Sequence, residues 1–401
     1  MKPPGVFAAL GFRNYRLWFA GQLGSLVGTW MQATAQAFLI YQLTHSPAYL
    51  GYAGFASGAP AVLGLFGGVV SDRMPRRILL LITQTTMMIL AAILAALVFA
   101  HLVEPWHIIA LSLGLGIANA FDAPARQSFV AELVDRDYLT NGIALNAIMF
   151  NLARAAGPAA AGAVYGAFGA GFCFLVNAFS FLALIVALLA IRTVASEKRK
   201  AESLRIEIAE GIGFAFGHPV IRIILLIVAM VAIFGLGYIT IIPAWTVTML
   251  GGSALEIGLL QGAQGLGALL GAFAIAAFAR GSRGRMLLTG LLLFPLAILG
   301  FAMSRNVILS GLLLVAGGFF VMFVFNLANA IVQTIVPDHL RGRVISVYTL
   351  CFLGTMPIGS IVAGAIAEWK GELFTVILGG VVLSVFAVSA WFLARPLRAR
   401  D

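Results

Sequence analysis

The chain of 401 residues is 61% apolar and 10% charged, whereas a soluble domain carries about 25% charged residues. Its length would fit two or three soluble domains, but none could hide so much apolar surface, and stretches of about 20 apolar residues are what a bilayer core requires. The net charge of +10 would suggest nucleic acid only as a basic stripe with interleaved aromatics; no such stripe exists, so nucleic acid is excluded as a partner.

Six apolar spans are predicted in the first half, at 17–42, 48–71, 78–101, 105–130, 139–167 and 170–192. The first carries a polar stripe, Gln22, Ser25, Thr29, Gln32 and Gln36. This inverts the soluble amphipathic pattern, so the polar face is expected to point inward. Between the second and third spans runs Gly68-Val69-Val70-Ser71-Asp72-Arg73-Met74-Pro75-Arg76-Arg77. Asp72 ends a helix where an acid can face the positive N-terminus of another, such as the one beginning near Arg341.

The fourth span holds Asn119, Asp122 and Arg126 on one helix face. A charge at the centre of a span costs roughly 2.5–3.5 kcal/mol on insertion scales and normally faces a cavity or a partner. Two roles are open to Asp122: a proton-coupling site, its affinity for protons raised by burial, or one half of a permanent ion pair with Arg126 or Arg154. The fifth span carries Asn151 and Arg154, followed by Gly157, Pro158 and Gly162. Small residues permit close helix contact and the proline bends the helix. Arg154 can grip an anionic substrate or balance Asp122; the residues alone do not separate these.

A polar segment, 193–219, reads as a linker with an amphipathic helical part. The second-half spans are predicted at 220–248, 254–279, 285–304, 307–336, 342–367 and 372–395. Candidate cavity residues there are Tyr238 and Trp245 in the seventh span and Asn326, Asn329 and Gln333 in the tenth. The second-half positions aligned with the Asp122 region, Val324 and Ala328, are uncharged. Arg280-Gly281-Ser282-Arg283-Gly284-Arg285, the counterpart of the first basic loop, has no acid and reads as a topological anchor.

Basic residues crowd alternate connections, from Arg73, Arg76 and Arg77 to Arg341 and Arg343, while the other connections hold only Arg305 and Lys370. This asymmetry places both termini and the linker in the cytoplasm. The first apolar stretch is too long for a cleavable signal and lacks a small-residue cleavage site. Cys173 and Cys351 fall in spans of different halves and read as buried thiols. An internal repeat relates Ser46-Pro47-Ala48-Tyr49-Leu50-Gly51 to Ser253-Ala254-Leu255-Glu256-Ile257-Gly258, and 129–134 to 331–336, at an offset of about half the chain. The expected domains are therefore 1–192, a linker 193–219, and 220–401, in an all-α membrane protein of two pseudo-symmetric six-helix bundles.

The run from Gly68 to Arg77 resembles the signature loop of the major facilitator superfamily, Gly-x-x-x-Asp-Arg-x-Gly-Arg-Arg/Lys, with Pro75 in place of the usual glycine. Helix number, duplicated halves and the central loop extend the resemblance over the whole chain. It implies that Arg76 pairs with an acid ending the fourth helix, here Glu132, in a latch that closes the cytoplasmic side. A plain topology-setting basic loop is the alternative. Gly157-Pro158 with Gly162 resembles the fifth-helix motif of the superfamily's exporters, although Ala161 replaces a second closing glycine. In the superfamily the first, fourth, seventh and tenth helices line the cavity, where the polar residues occur here. Pro124-Ala125-Arg126-Gln127 and Glu132-Leu133-Val134 are similar to the drug:proton antiporter and enterobactin-exporter-like group.

The resemblance implies a proton-coupled exporter of small amphipathic molecules in the inner membrane of a bacterium, working as a monomer by alternating access; a proton-coupled importer is the competing expectation. Two pseudo-symmetric halves in one chain favour a rocking carrier over a channel. No His/Cys/acid cluster or nucleophile–base pair points to an enzyme. No cofactor is expected, and without a phosphate-binding Gly-Lys-Ser/Thr loop direct ATP use is not either.

Overall fold

The computed structural model describes residues 7–191, 204–278, 282–394 and Leu397, and at Leu65, Val69, Asp72, 204–209 and Phe278 it describes the backbone alone. Lipid offers no hydrogen bonds, so an apolar chain that crosses it must satisfy its backbone internally, as helices do. The helices in chain order are α1 (Arg13–Thr44), α2 (Pro47–Gly58), α3 (Gly64–Arg73), α4 (Arg76–Phe99), α5 (Pro105–Phe129), α6 (Leu139–Phe168) and α7 (Ala170–Ala190). There follow α8 (Leu204–Gly217), α9 (Pro219–Met230), α10 (Gly237–Leu250), α11 (Ala254–Phe278), α12 (Arg283–Met303), α13 (Val307–Ile335), α14 (Arg341–Lys370) and α15 (Glu372–Leu393).

Among the described residues, nine helical stretches are long and apolar enough to cross a membrane. Three more complete the set of twelve: α1, α6, and the run of α2, a 3-10 segment (Ala59–Leu63) and α3. The expected second span is thus a broken helix rather than a straight one. Pro60 lies at the break and supplies no backbone N–H for the ladder. A π-helical turn, Val231–Gly235, likewise interrupts the seventh span between α9 and α10.

The helix ends follow local chemistry. Pro47, Pro105 and Pro219 occupy first-turn positions, where a missing N–H costs nothing. Asn306 caps α13, its side-chain oxygen accepting from the Ile308 and Leu309 amides at 2.9 and 3.1 Å. Gly169 (φ 87°) and Gly371 (φ 86°) make the same turn at corresponding places in the two halves, α6 to α7 and α14 to α15. A side chain would be strained at that φ, so the sequence repeat is also a backbone repeat.

Two packed groups result. One apolar cluster, including Tyr15, Trp18, Phe129 and Leu188, joins α1, α5 and α7. Another, including Ile224, Trp245, Phe294, Phe301 and Val324, joins α8 to α15. The groups meet where α6 packs along α11 and α2 along α14. These contacts lie in the helix halves nearer the arginine-poor turns. Gly51 faces Gly364, and a Cβ added to Gly364 would stand 2.8 Å from the Pro47 carbonyl oxygen. On α11 a Cβ added to Gly258 would stand 2.4 Å from the Pro158 carbonyl oxygen. Glycine is what lets these backbones touch.

Candidate functional site

The signature loop lies at the arginine-rich end. Arg76, in the first turn of α4, donates to Glu132 Oε1 at 2.8 Å, and Glu132 belongs to the 3-10 turn (Val130–Glu132) that continues α5. Both residues belong to the first packed group. Arg77 Nε donates to the Leu188 carbonyl at 2.7 Å and its NH2 to the Leu189 carbonyl at 2.9 Å. It thereby satisfies the carbonyls left over at the C-terminus of α7, where a cation is also favoured by the helix dipole. Arg73 is exposed, and the added-Cβ position on Gly68 meets nothing within 4 Å. The Asp72 side chain, on which the expected closing contact rests, lies outside the described residues, as do Arg280, Gly281 and 192–203.

Asp122 is 1% exposed. Its Oδ1 accepts from Thr83 Oγ1 and Gln84 Nε2, both of α4, at 2.8 Å each. Its Oδ2 stands 3.8 Å from Arg126 NH1, and Ser25 of α1 donates to Gln84 Oε1 at 3.4 Å. A buried carboxylate needs a countercharge and donors; here α5 supplies the countercharge and α4 the donors, with α1 bonded behind Gln84. Thr83 and Gln84 escaped the sequence reading. Their signal was the run of four polar residues, Thr83-Gln84-Thr85-Thr86, inside an otherwise apolar span.

The stripe on α1 turns mostly into its own group. Gln32 Oε1 accepts from Asn177 Nδ2 of α7 at 2.6 Å, and Gln36 Nε2 donates to Ser112 Oγ of α5 at 3.4 Å. Gln22 is fully buried, with no hydrogen-bond partner for its amide among the described residues. Thr29 alone of the five is exposed; its hydroxyl donates back to the Ser25 carbonyl at 2.8 Å. The inward-pointing polar face is thus seen mainly as bonds between helices of one group.

Arg154 stands apart from Asp122. Its guanidinium carbon lies 5.9 Å from the centre of the Trp30 ring on α1, and it interacts electrostatically with the Tyr238 phenol of α10. Tyr238 is itself buried and accepts from Gln264 Nε2 of α11 at 3.0 Å. Asn151, one turn before, donates to the Ala147 carbonyl at 2.9 Å. Gly157 and Gly162 serve different faces of α6. An added Cβ on Gly157 would meet the Trp30 Cβ at 2.5 Å, and one on Gly162 the Ala254 carbonyl at 2.8 Å. Pro158 is buried between them. The expected exporter motif therefore seats α6 against α1 on one side and α11 on the other.

In the second group, Asn326, Asn329, Ala330, Gln333 and Thr334 of α13 line a cavity of about 450 Å³ with Arg283 and Arg341. Gln333 donates to Asn329 Oδ1 at 3.1 Å. Asn119 is exposed on α5. Trp245, by contrast, is fully buried and packs on Phe301, ring centres 4.1 Å apart. Two bonds crossing between the groups went unread in the sequence: Thr34 Oγ1 to Gln261 Oε1 at 2.6 Å, and Ser46 Oγ to Glu368 Oε2 at 2.6 Å. Each side chain looks like an isolated polar residue until the partner helix is known.

Comparison with known proteins agrees with this architecture. The family model for transmembrane secretion effectors matches residues 5–401. The staphyloferrin A transporter of Staphylococcus aureus is 22% identical, over 96% of this chain and 97% of that protein. The multidrug efflux pump Tap of Mycolicibacterium fortuitum is 27% identical over 85% of each chain. The enterobactin exporter EntS of Salmonella typhi is 24% identical over 96% and 93%. Among solved structures, a bacterial homologue of the human lysosomal transporter Spinster, in an inward-facing unoccupied conformation, superposes with a TM-score of 0.70 at 17% identity, covering 99% of this chain and 98% of its own. The fold is that of the major facilitator transporters, and the protein is a multi-pass membrane transporter of small molecules rather than an enzyme. The chain belongs to the transmembrane secretion effector family of the major facilitator superfamily.

Proposed function

We propose that the transporter exports small amphipathic molecules by alternating access, exchanging them for protons that bind at Asp122. The arginine-rich end faces the cytoplasm in this reading, with both termini, by the positive-inside asymmetry. The chain then sits in the inner membrane of a bacterium, as a monomer divided at the 193–219 linker.

One observation carries the proposal. The two groups touch through glycine-lined faces and a few side-chain hydrogen bonds near the arginine-poor end, while a polar cavity bordered by Arg283 and Arg341 lies at the other. That is the arrangement expected of a carrier closed to the outside and loading from the cytoplasm. Few bonds hold the closed end, so a rocking motion has little to break. Asp122, the buried acid with a nearby cation and two movable donors, supports the coupling role: a proton there would release Arg126. The efflux pump and the exporter among the relatives support the direction.

Inverted membrane vesicles test the whole reading. Acidifying the lumen should drive uptake of a substrate from a drug and siderophore panel. Accumulation by intact cells, with none in acid-loaded inverted vesicles, would establish import instead.

A further inference from the structure

We propose that Arg154 seats the acidic group of the transported molecule, so that the substrates are amphipathic organic anions. This deepens the export reading above and rests on it.

A guanidinium is always charged and carries five N–H donors in a planar fork that matches a carboxylate or a similar oxyanion. Inside a span such a group ordinarily has a protein carboxylate beside it. Arg154 has none: the ion pairs among the described residues are Arg76–Glu132, Arg126–Asp122, Arg341–Asp338 and Arg343–Glu210. Asp122, the one acid that could have balanced it, is occupied by Arg126, Thr83 and Gln84. Nor does the Arg154 side chain donate a hydrogen bond to any described residue; it faces the Trp30 ring, with the Tyr238 phenol nearby.

The surroundings suit one class of ligand. Arg154 is partly exposed. The Trp30 ring packs edge-on against Phe150, centres 6.0 Å apart, which provides an aromatic surface beside the charge. Gly157 lets Trp30 pack this close to α6, because any side chain there would collide with it. On the other side, the Arg154 backbone carbonyl lies 2.7 Å from where a Cβ on Gly265 would be. Helix α1 therefore faces the cation itself, and α11 of the other group packs against the α6 backbone at the same residue. A rocking carrier rebuilds that junction in every cycle, which is where a transported solute must be held. A cationic solute would be repelled there, and a neutral one would leave the fork unmatched.

The test uses the purified full-length protein in detergent, with thermal unfolding in the presence of 2-naphthoate, 2-naphthamide or 2-naphthyl-trimethylammonium. The wild type should be stabilised by naphthoate and not by its neutral or cationic analogues. Arg154→Gln and Arg154→Met should bind naphthoate about tenfold or more weakly, and Arg154→Lys should retain part of the effect. Without ligand, Arg154→Met should melt no lower than the wild type, since it removes an unpaired charge from a span. The proposal is overturned if the wild type shows no preference for the anion, if Arg154→Gln keeps it, or if ligand-free Arg154→Met loses several degrees. Export in vesicles is measured separately. Export without anion preference sinks this proposal alone, whereas Arg154-dependent anion binding without export sinks the export reading alone.

Discussion

Ser46, at the start of α2, donates a 2.6 Å hydrogen bond to Glu368, near the end of α14, joining residues 322 positions apart. The same carboxylate oxygen accepts from the Ala48 backbone amide at 3.3 Å. One acid thus satisfies two donors at the first turn of α2 and ties the two groups together at the arginine-poor end. It also answers the positive end of the α2 dipole.

This clasp should set how firmly that end closes. Charge-assisted hydrogen bonds contribute about 1.5–3 kcal/mol when shielded; at this exposed site about 1 kcal/mol is a fair expectation. Glu368→Ala should therefore open the end about fivefold more often. The measurement is maleimide labelling of a cysteine replacing Thr34, a buried interface residue, in a chain lacking Cys173 and Cys351. Equal labelling rates with and without Glu368 would refute the clasp.

The glycine contacts should be more decisive. At Gly258, where a Cβ would stand 2.4 Å from a carbonyl oxygen, a leucine must push α11 away from α6. We expect Gly258→Leu to reach the membrane in normal amount, label readily at position 34, and transport nothing. Transport at the wild-type rate would show that α6 and α11 need not close this tightly.

Asp122→Asn keeps an oxygen to accept from Thr83 and Gln84 but loses the charge that faces Arg126. Proton-driven accumulation should vanish while substrate counterflow continues. If both persist unchanged, the Asp122–Arg126 pair is structural and the proton binds elsewhere.

Arg76 and Glu132 are paired at 2.8 Å inside the first group, so the pair can brace the loop but cannot itself bridge to the second group. In a double-mutant cycle on thermal stability, Arg76→Ala and Glu132→Ala should couple by about 0.5–1 kcal/mol, the double variant being no worse than the worse single one. Additive losses would mean that the two do not interact. Arg77→Ala should lose about 1 kcal/mol separately, by stripping the Leu188 and Leu189 carbonyls of their donor.

Most of the fold was legible one residue type at a time. Apolar runs long enough for a bilayer mark the spans, and arginine asymmetry ranks their ends. Prolines and glycines mark helix starts and turns, so the expected boundaries agree with the helices to within a few residues. The break at Pro60 and the π turn at Val231–Gly235 were hidden, because neither changes apolarity. Side-chain periodicity also says which residues share a face, as Gln22, Ser25, Gln32 and Gln36 do, but not which helix that face meets. Tertiary packing alone decided that Gln32 meets Asn177 and Gln36 meets Ser112, that Asp122 belongs with Arg126, and that Arg154 is left with Trp30 and Tyr238. The physical reason is that lipid selects apolar helices one at a time, whereas a buried charge or amide is satisfied only by whatever a neighbouring helix brings to it.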